Sequence, residues 1–428
     1  MTGAGVFCVL LVAAVPASPG ELPRVEPPCS YDVQVIEGPL MPNGFTAGLI
    51  PLCINNLGEV GGRASPGLAK VPFTWTAEGG FAWVPMPSGI GEGWVVEMND
   101  NGWLLIQSHV SPGGDRGYIV PAEGRATAEW ISILPTGTSG YSYTRGINNL
   151  NEVVGHRTSP NAEPGALLPY AGFKWSPEAG ALTDIYIDAA GNPSSGLLRI
   201  NDQGVLLGWS SLGGFSTFNT VSHILQDRKV VTFDSEVKGG GMLPTDLAAD
   251  GSGVVVERVV EQGPSGSDTK QYSFIVREGN IVCELPVLSP YPSAVAVGVN
   301  SSGVAVGDSR SGSAPGPVTP LGTVWFDGVP YSANELAGFL SGSSFHVTSV
   351  AAINEKGQMV GYIPSGGRLA VLTPNGVPGD LDCDGVVGPA DLAILLGAWG
   401  REGTRADLDG SGIVDGEDLG VLLAAWGS

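Results

Sequence analysis

The 428-residue chain is long enough for two or three average domains, or for one large all-β domain with an appendage. Its formal net charge of −22 argues against a nucleic-acid partner, whose phosphates need a basic surface. Only 14% of residues are charged, while 66 glycines and 33 prolines punctuate regular apolar runs, a pattern of many short strands and tight turns rather than of low complexity.

The chain opens on "MTGAGVFCVLLVAAVPASPG", an apolar run over 5–15 followed by small residues and proline. This is the layout of a cleaved export leader, with Val15-Pro16-Ala17 placing the cut after Ala17 (signal peptide 1–17). No later run is apolar for long enough to span a bilayer, so a secreted or surface-exposed product without a transmembrane anchor is expected. Export leaves Cys29, Cys53, Cys283 and Cys383, too few and too scattered for a disulfide framework or a zinc site. A Cys29–Cys53 bridge is one pairing open to them, and Cys283 reads as a free or buried thiol.

From residue 30 to 375 the sequence repeats. The phrase "INNLGEVGG" at 54–62 returns at 98, 147, 200, 247, 299 and 353, with its fifth residue at Gly58, Gly102, Asn151, Gly204, Gly251, Gly303 and Gly357. An apolar run, then Asn, polar residues and Gly, then a second apolar run describes a hairpin whose turn needs positive φ. Asn151, the one departure from Gly, is the next best residue for that conformation. Each copy is followed by a third, often aromatic strand ("VPFTWT" 71–76, "GFKWS" 172–176, "YSFIV" 272–276, "GTVWF" 322–326). A fourth comes after it ("FAWVPM" 81–86, "ALTDIYI" 181–187, "NIVCELPVL" 280–288). Four strands per unit, at intervals of 44 to 54 residues, predict a mainly β fold, a seven-bladed β-propeller. The last unit is one strand short. "YDVQVIEG" at 31–38 is free to complete it and close the ring.

These units resemble the bacterial extracellular repeats of the HAF type, built on Ile-Asn-x-x-Gly-x-Val-Val-Gly, over residues 31–375. The resemblance implies an exported β-rich repeat protein and brings no reaction with it.

After a linker at 376–379 the composition changes: the last 53 residues hold ten acidic residues against two arginines. Asp380, Asp382, Asp384, Val386 and Asp391 stand at positions 1, 3, 5, 7 and 12 of a twelve-residue calcium loop, with Gly385 at the turn. Asp407, Asp409, Ser411, Ile413, Asp415 and Asp418 repeat that register at positions 1, 3, 5, 7, 9 and 12. Alternate carboxylates on a curled loop converge on one point, and position seven adds a backbone carbonyl, so two Ca2+ ions are expected. Each loop feeds a short helix, "DLAILLGAW" and "DLGVLLAAW", with Trp399 and Trp426 in matching places.

The segment 379–427 resembles a type I dockerin, the calcium-folded, paired EF-hand-type module that binds cohesin domains in extracellular polysaccharide-degrading assemblies. The resemblance implies a small helical calcium-binding domain over 380–428. It also implies a cohesin partner met near Pro389, Ala390, Gly416 and Glu417, which differ from the usual Ser/Thr recognition pair.

Catalysis leaves no comparable mark. The four histidines, His109, His156, His223 and His346, occupy different points of different units. No nucleophile elbow, zinc-protease or phosphate-loop motif occurs. Glu97, Asp184 and Asp246 are candidates for the carboxylate pair a glycosidase needs, with nothing to single out two of them. The leading expectation is a noncatalytic secreted propeller for binding or scaffolding, attached through its calcium-dependent tail and linked to polysaccharide breakdown. The alternatives are a glycoside hydrolase or polysaccharide lyase carried by the same tail, or a tail that is only a calcium-stabilised cap.

Overall fold

The computed structural model describes residues 27–110, 114–134, 140–159, 170–180, 182–185, 194–211, 220–226, 229–233, 241–263, 266–278, 280–311, 319–339, 345–375, 379–382, 385–401, 406–409, 411 and 413–427. The expected export leader therefore lies outside the described residues, as do Asp384 and Cys383. No helix among them is long and apolar enough to cross a membrane.

Seven four-stranded antiparallel sheets form the blades of a β-propeller. In the first blade, Gly48–Ile54, Val60–Ser65, Val71–Thr76 and Gly80–Trp83 follow one another from the axis outward, and five more blades keep this order. The seventh combines Ser349–Ile353, Met359–Ile363 and Arg368–Asn375 with Ser30–Ile36 from the other end of the chain. Ser30 pairs with Asn375 and Ile36 with Leu369, so the expected closure is present. Tyr31, Val33 and Val35 pack against the core of that blade, and no blade is left with an open edge there.

The third strands fall where the aromatic runs predict them. The fourth strands are shorter than expected: "FAWVPM" pairs only to Trp83 and "NIVCELPVL" only to Leu285. In both, a proline follows within two residues and has no N–H to give the ladder. The cysteines differ from expectation at one point. Cys53 is a free, buried thiol on an innermost strand, so the Cys29–Cys53 bridge does not form. Cys29 is disulfide-bonded, but its partner lies outside the described residues. Cys283 is free, as expected.

The repeated phrase sits between the first and second strand of each blade, at one end of the central channel. Gly204 has φ +77° and Asn151 φ +60°, in the left-handed region. The asparagine that opens the phrase does more than turn the chain. Its Oδ1 accepts from its own turn: from Leu150 N at 3.1 Å and Glu152 N at 2.9 Å for Asn148. Its Nδ2 donates to a backbone carbonyl of the next blade. Asn55 donates to Asn99 O (3.1 Å), Asn99 to Asn148 O (2.9 Å), Asn148 to Asn201 O (3.1 Å) and Asn201 to Ala249 O (3.0 Å). Asn300 donates to Asn354 O (3.4 Å), and Asn354 closes the circle on Asn55 O at 2.8 Å. The fifth blade carries Ala248 instead.

The following residue builds a second circle in the same sense. The backbone N–H groups of Asn56, Asp100 and Asn149 donate to Asp100, Asn149 and Asp202 side chains at 2.7–2.9 Å. Around the alanine gap, the Glu355 carboxylate of the seventh blade accepts from Ala249 N and Ser301 N, at 3.0 and 2.8 Å.

At the C-terminus two nine-residue helices, Pro389–Gly397 and Gly416–Ala424, enclose a small core of Leu381, Val387, Leu395, Ala398, Ala406, Val414 and Leu422. The sequence implies that this tail and the propeller share only the linker. A second contact exists, since Cys29 Sγ lies 3.4 Å from Asp380 O.

Substitutions in the turns and the ring should separate backbone strain from hydrogen bonding. Gly204→Val has open space around it, so its cost is backbone strain alone, about 1–3 kcal/mol in chemical denaturation. Asn151→Gly should be near neutral, because relief of strain is offset by loss of the Asn99 Nδ2 bond to Asn151 Oδ1 (2.7 Å). Asn148→Ala orphans buried groups on two blades and should cost about 2–4 kcal/mol, whereas Leu150→Ala at the exposed tip of the same turn should stay within about 0.5 kcal/mol.

Candidate functional site

All seven innermost strands carry a register irregularity at one place, three residues before the turn asparagine position. A bulge re-aims side chains and is common beside functional sites. Here the bulged residues Leu52, Val96, Arg145, Leu198, Thr245, Val297 and Ala351 form one layer around the channel. In the layer below, Glu97, Arg199 and Asp246 face one another.

Arg199 is the centre of this lower layer. Its Nε lies 2.8 Å from Asp246 Oδ1 and 3.6 Å from Glu97 Oε2, and its Nη1 donates to Arg145 O at 2.9 Å. Asp246 Oδ2 accepts from Val299 N at 3.0 Å, so this cluster ties together the second, third, fourth, fifth and sixth blades. The approach requires glycine at 146, where a Cβ would come within 2.8 Å of Arg199 Cα. Burial pushes the Glu97 carboxyl up to about 7, against the pull of Arg199. The cluster divides the channel. On the turn side lies a cavity of about 180 Å3 lined by the asparagine ring, and on the other side one of about 570 Å3.

Of the three carboxylates singled out in the sequence, the fold thus brings Glu97 and Asp246 to one arginine. Asp184 lies on the outer strand of the third blade, paired with Arg157 at 2.9 Å. The histidines stay apart. His156 is buried against Tyr143, Tyr170 and Trp209, and burial, then Arg145, holds its pKa far below the usual value. His223 is buried between Ser210 and Thr232, His109 pairs with Asp115 at the surface, and His346 is exposed. Sequence reasoning missed Arg145 and Arg199. Their signal was positional: each sits two or three residues before a turn asparagine, on an innermost strand.

The tail holds the second candidate site. One carboxylate oxygen each from Asp380, Asp382 and Asp391 lies within 4.8 Å of the others, and Asp407, Asp409 and Asp418 repeat the cluster. Asp391 and Asp418 play identical parts. Asp391 Oδ1 accepts from Leu381 N and Asp382 N, and Oδ2 from Gly388 N. Asp418 accepts in the same way from Leu408, Asp409 and Asp415 N–H groups. Burial pushes the Asp391 pKa up, but donation from Gly388, Asp382 and Leu381 outweighs it and holds the carboxyl below its ordinary range. Gly385 takes φ +89° at the sharp turn of the first loop. Oxygen-only donors on so tight a loop suit a hard divalent cation. Asp415 N-caps its helix, accepting from Glu417 N at 2.9 Å, and Ser411 Oγ donates to Ile413 O at 3.2 Å. Val386 and Ile413 are exposed at matching places. Pro389, Ala390, Gly416 and Glu417 are exposed at the helix starts.

No family model matches the chain, and no curated protein matches it. Solved structures similar to it include the β-propeller domain of the Trilobed protease from Pyrococcus furiosus, with 9% identity and TM-score 0.48 over 77% of this chain and 94% of that one. A virginiamycin B lyase from Staphylococcus aureus shows 10% identity and TM-score 0.46 over 80% and 99%. Pyrococcus horikoshii acylaminoacyl peptidase shows 8% and 0.45 over 74% and 49%.

The Glu97 environment predicts a pH dependence of stability. Its folded pKa lies above the ordinary value of 4.5, so the folded state holds the proton more tightly. The contribution is complete below pH 4.5 and is lost as pH rises through about 7. Glu97→Gln should remove this loss. Urea denaturation from about pH 5 to pH 8 should show the wild type falling relative to the variant by on the order of 2–3 kcal/mol.

Proposed function

We propose that the chain is a secreted, noncatalytic β-propeller that binds saccharide and is attached through a dockerin-like, calcium-folded tail to a cohesin-bearing partner. The observation that carries this reading is the matched pair of carboxylate triads, Asp380/Asp382/Asp391 and Asp407/Asp409/Asp418, with the same hydrogen bonds in each loop. Two calcium ions would take these oxygens together with the position-seven carbonyls of Val386 and Ile413, and their charge would relieve the repulsion within each loop. A core as small as that of the tail gives calcium a large share in its folding.

The helices support a docking role. Leu396 and Leu423 are 53% and 52% exposed, and Trp399 and Trp426 47% and 44%, so both repeats present the same apolar pair to solvent. Pro389, Ala390, Gly416 and Glu417 border this surface as the candidate recognition positions. An apolar pair presented twice suits a protein partner.

A second reading, a glycoside hydrolase or polysaccharide lyase carried by the same tail, is favoured by one observation. Glu97, titrating near 7, shares the channel with Asp246, as an acid and a base would. Against it, Arg199 holds both carboxylates. Hydrolysis or lysis of polysaccharides from a panel, abolished by Glu97→Gln, would establish the enzyme.

For the tail, calorimetric titration of the chelated full chain with calcium should show two sites. Replacing Asp380 and Asp407 together by Ala should abolish binding and leave propeller melting unchanged. Capture by a cohesin domain should require calcium. A chain that binds no calcium overturns the reading of the tail.

A further inference from the structure

The larger channel cavity, about 570 Å3, opens away from the asparagine ring and is lined by Arg145, a cation with no ion pair among the described residues. Arg145 projects from the bulge of the third blade, and its side chain is partly buried. Its side chain makes no hydrogen bond or ion pair among the described residues. It lies over the Tyr143 ring, 5.2 Å from the centroid, near the like charge of Arg199, whose repulsion outweighs the pull of the Asp115 carboxylate. The other two arginines of the cavity are committed: Arg199 to Asp246 and Glu97, and Arg310 at the rim to Asp308. Partly burying a cation that makes no ion pair is costly, and the cost is recovered when an anion arrives.

The cavity also states what kind of anion fits. One free guanidinium matches one negative charge, and its planar fork matches the two oxygens of a carboxylate. Ile50, Pro51, Trp94 and Tyr362 line the same cavity, giving apolar and aromatic surface for the body of a small ring. We infer that this mouth binds the carboxylate of an acidic sugar, with Arg145 as the anion anchor. The inference rests on the saccharide-binding reading of the propeller and narrows it to uronate residues.

The test is calorimetry on the full chain with galacturonate and glucuronate, and with galactose, acetate and inorganic phosphate as controls. At least one uronate should bind with a Kd of about 0.1–1 mM, and each control at least about tenfold more weakly. Arg145→Met should weaken uronate binding at least about tenfold. It removes a charge that makes no ion pair among the described residues, so circular dichroism and melting should show an intact fold. Should that variant fail to fold, Arg145→Lys, which keeps the charge and loses the fork, should fold and still lose most of the affinity. Undiminished binding in the variants overturns the role of Arg145. Equal binding of phosphate or acetate marks a simple anion site, and equal binding of galactose marks a neutral-sugar site; either overturns the inference. A chain that binds neutral polysaccharides but no uronate overturns this inference alone, whereas one that binds neither also removes the saccharide-binding reading.

Discussion

The propeller depends on one amide used twice. In each intact copy of the repeat, the turn asparagine accepts from its own turn with one end and donates to the neighbouring blade with the other. A blade therefore cannot form its turn properly without also presenting the donor that fixes its neighbour. The atoms are buried, so each bond is protected from water, and an unmade one would be costly. The ring is closed a second way at the periphery, where Ser30–Ile36 completes the seventh blade. Sheet pairing joins the two ends of the propeller, and the amide circle holds the blades around the axis.

Where the sequence loses an asparagine, other side chains take over parts of its work. At Ala248, Asp250 accepts from Ser252 N at 2.8 Å and so supports the turn, while Glu355 reaches from the seventh blade to bind backbone N–H groups of the fifth and sixth. The fourth-blade donor Asn201 still reaches into the fifth. The circle is thus closed by a carboxylate across the one gap, at the cost of placing a negative charge beside the turn-side cavity.

The bulges convert this rigid ring into a shaped channel. Each turns side chains of an innermost strand toward the axis, and what the seven copies place there differs. The charged residues come from the second to fifth blades, while the first, sixth and seventh offer Leu52, Val297 and Ala351. The innermost strands are therefore asymmetric within a nearly symmetric frame, with their charged side chains confined to four neighbouring blades. In the tail the opposite holds. The two loops keep identical hydrogen-bonding roles at Asp391 and Asp418, and the exposed Leu and Trp pairs match as well.

The blade count, the turn positions, the third strands and the closing strand were all legible in the sequence, because they rest on local rules repeated seven times. Positive φ selects Gly or Asn, a strand demands apolar alternation, and a missing strand leaves an edge. The clustering of the tail carboxylates was legible for the same reason, since side chains brought together by one short loop lie close in sequence. What the sequence alone left undecided was whatever joins residues from different blades. Glu97, Asp246 and Arg199 are separated by tens of residues and carry no shared motif, yet the ring sets them on adjacent strands around one axis. The isolation of Arg145, the loss of the Cys29–Cys53 pairing and the second role of the turn asparagines belong with them. Each depends on which strand faces which across the channel, and only closure of the ring decides that.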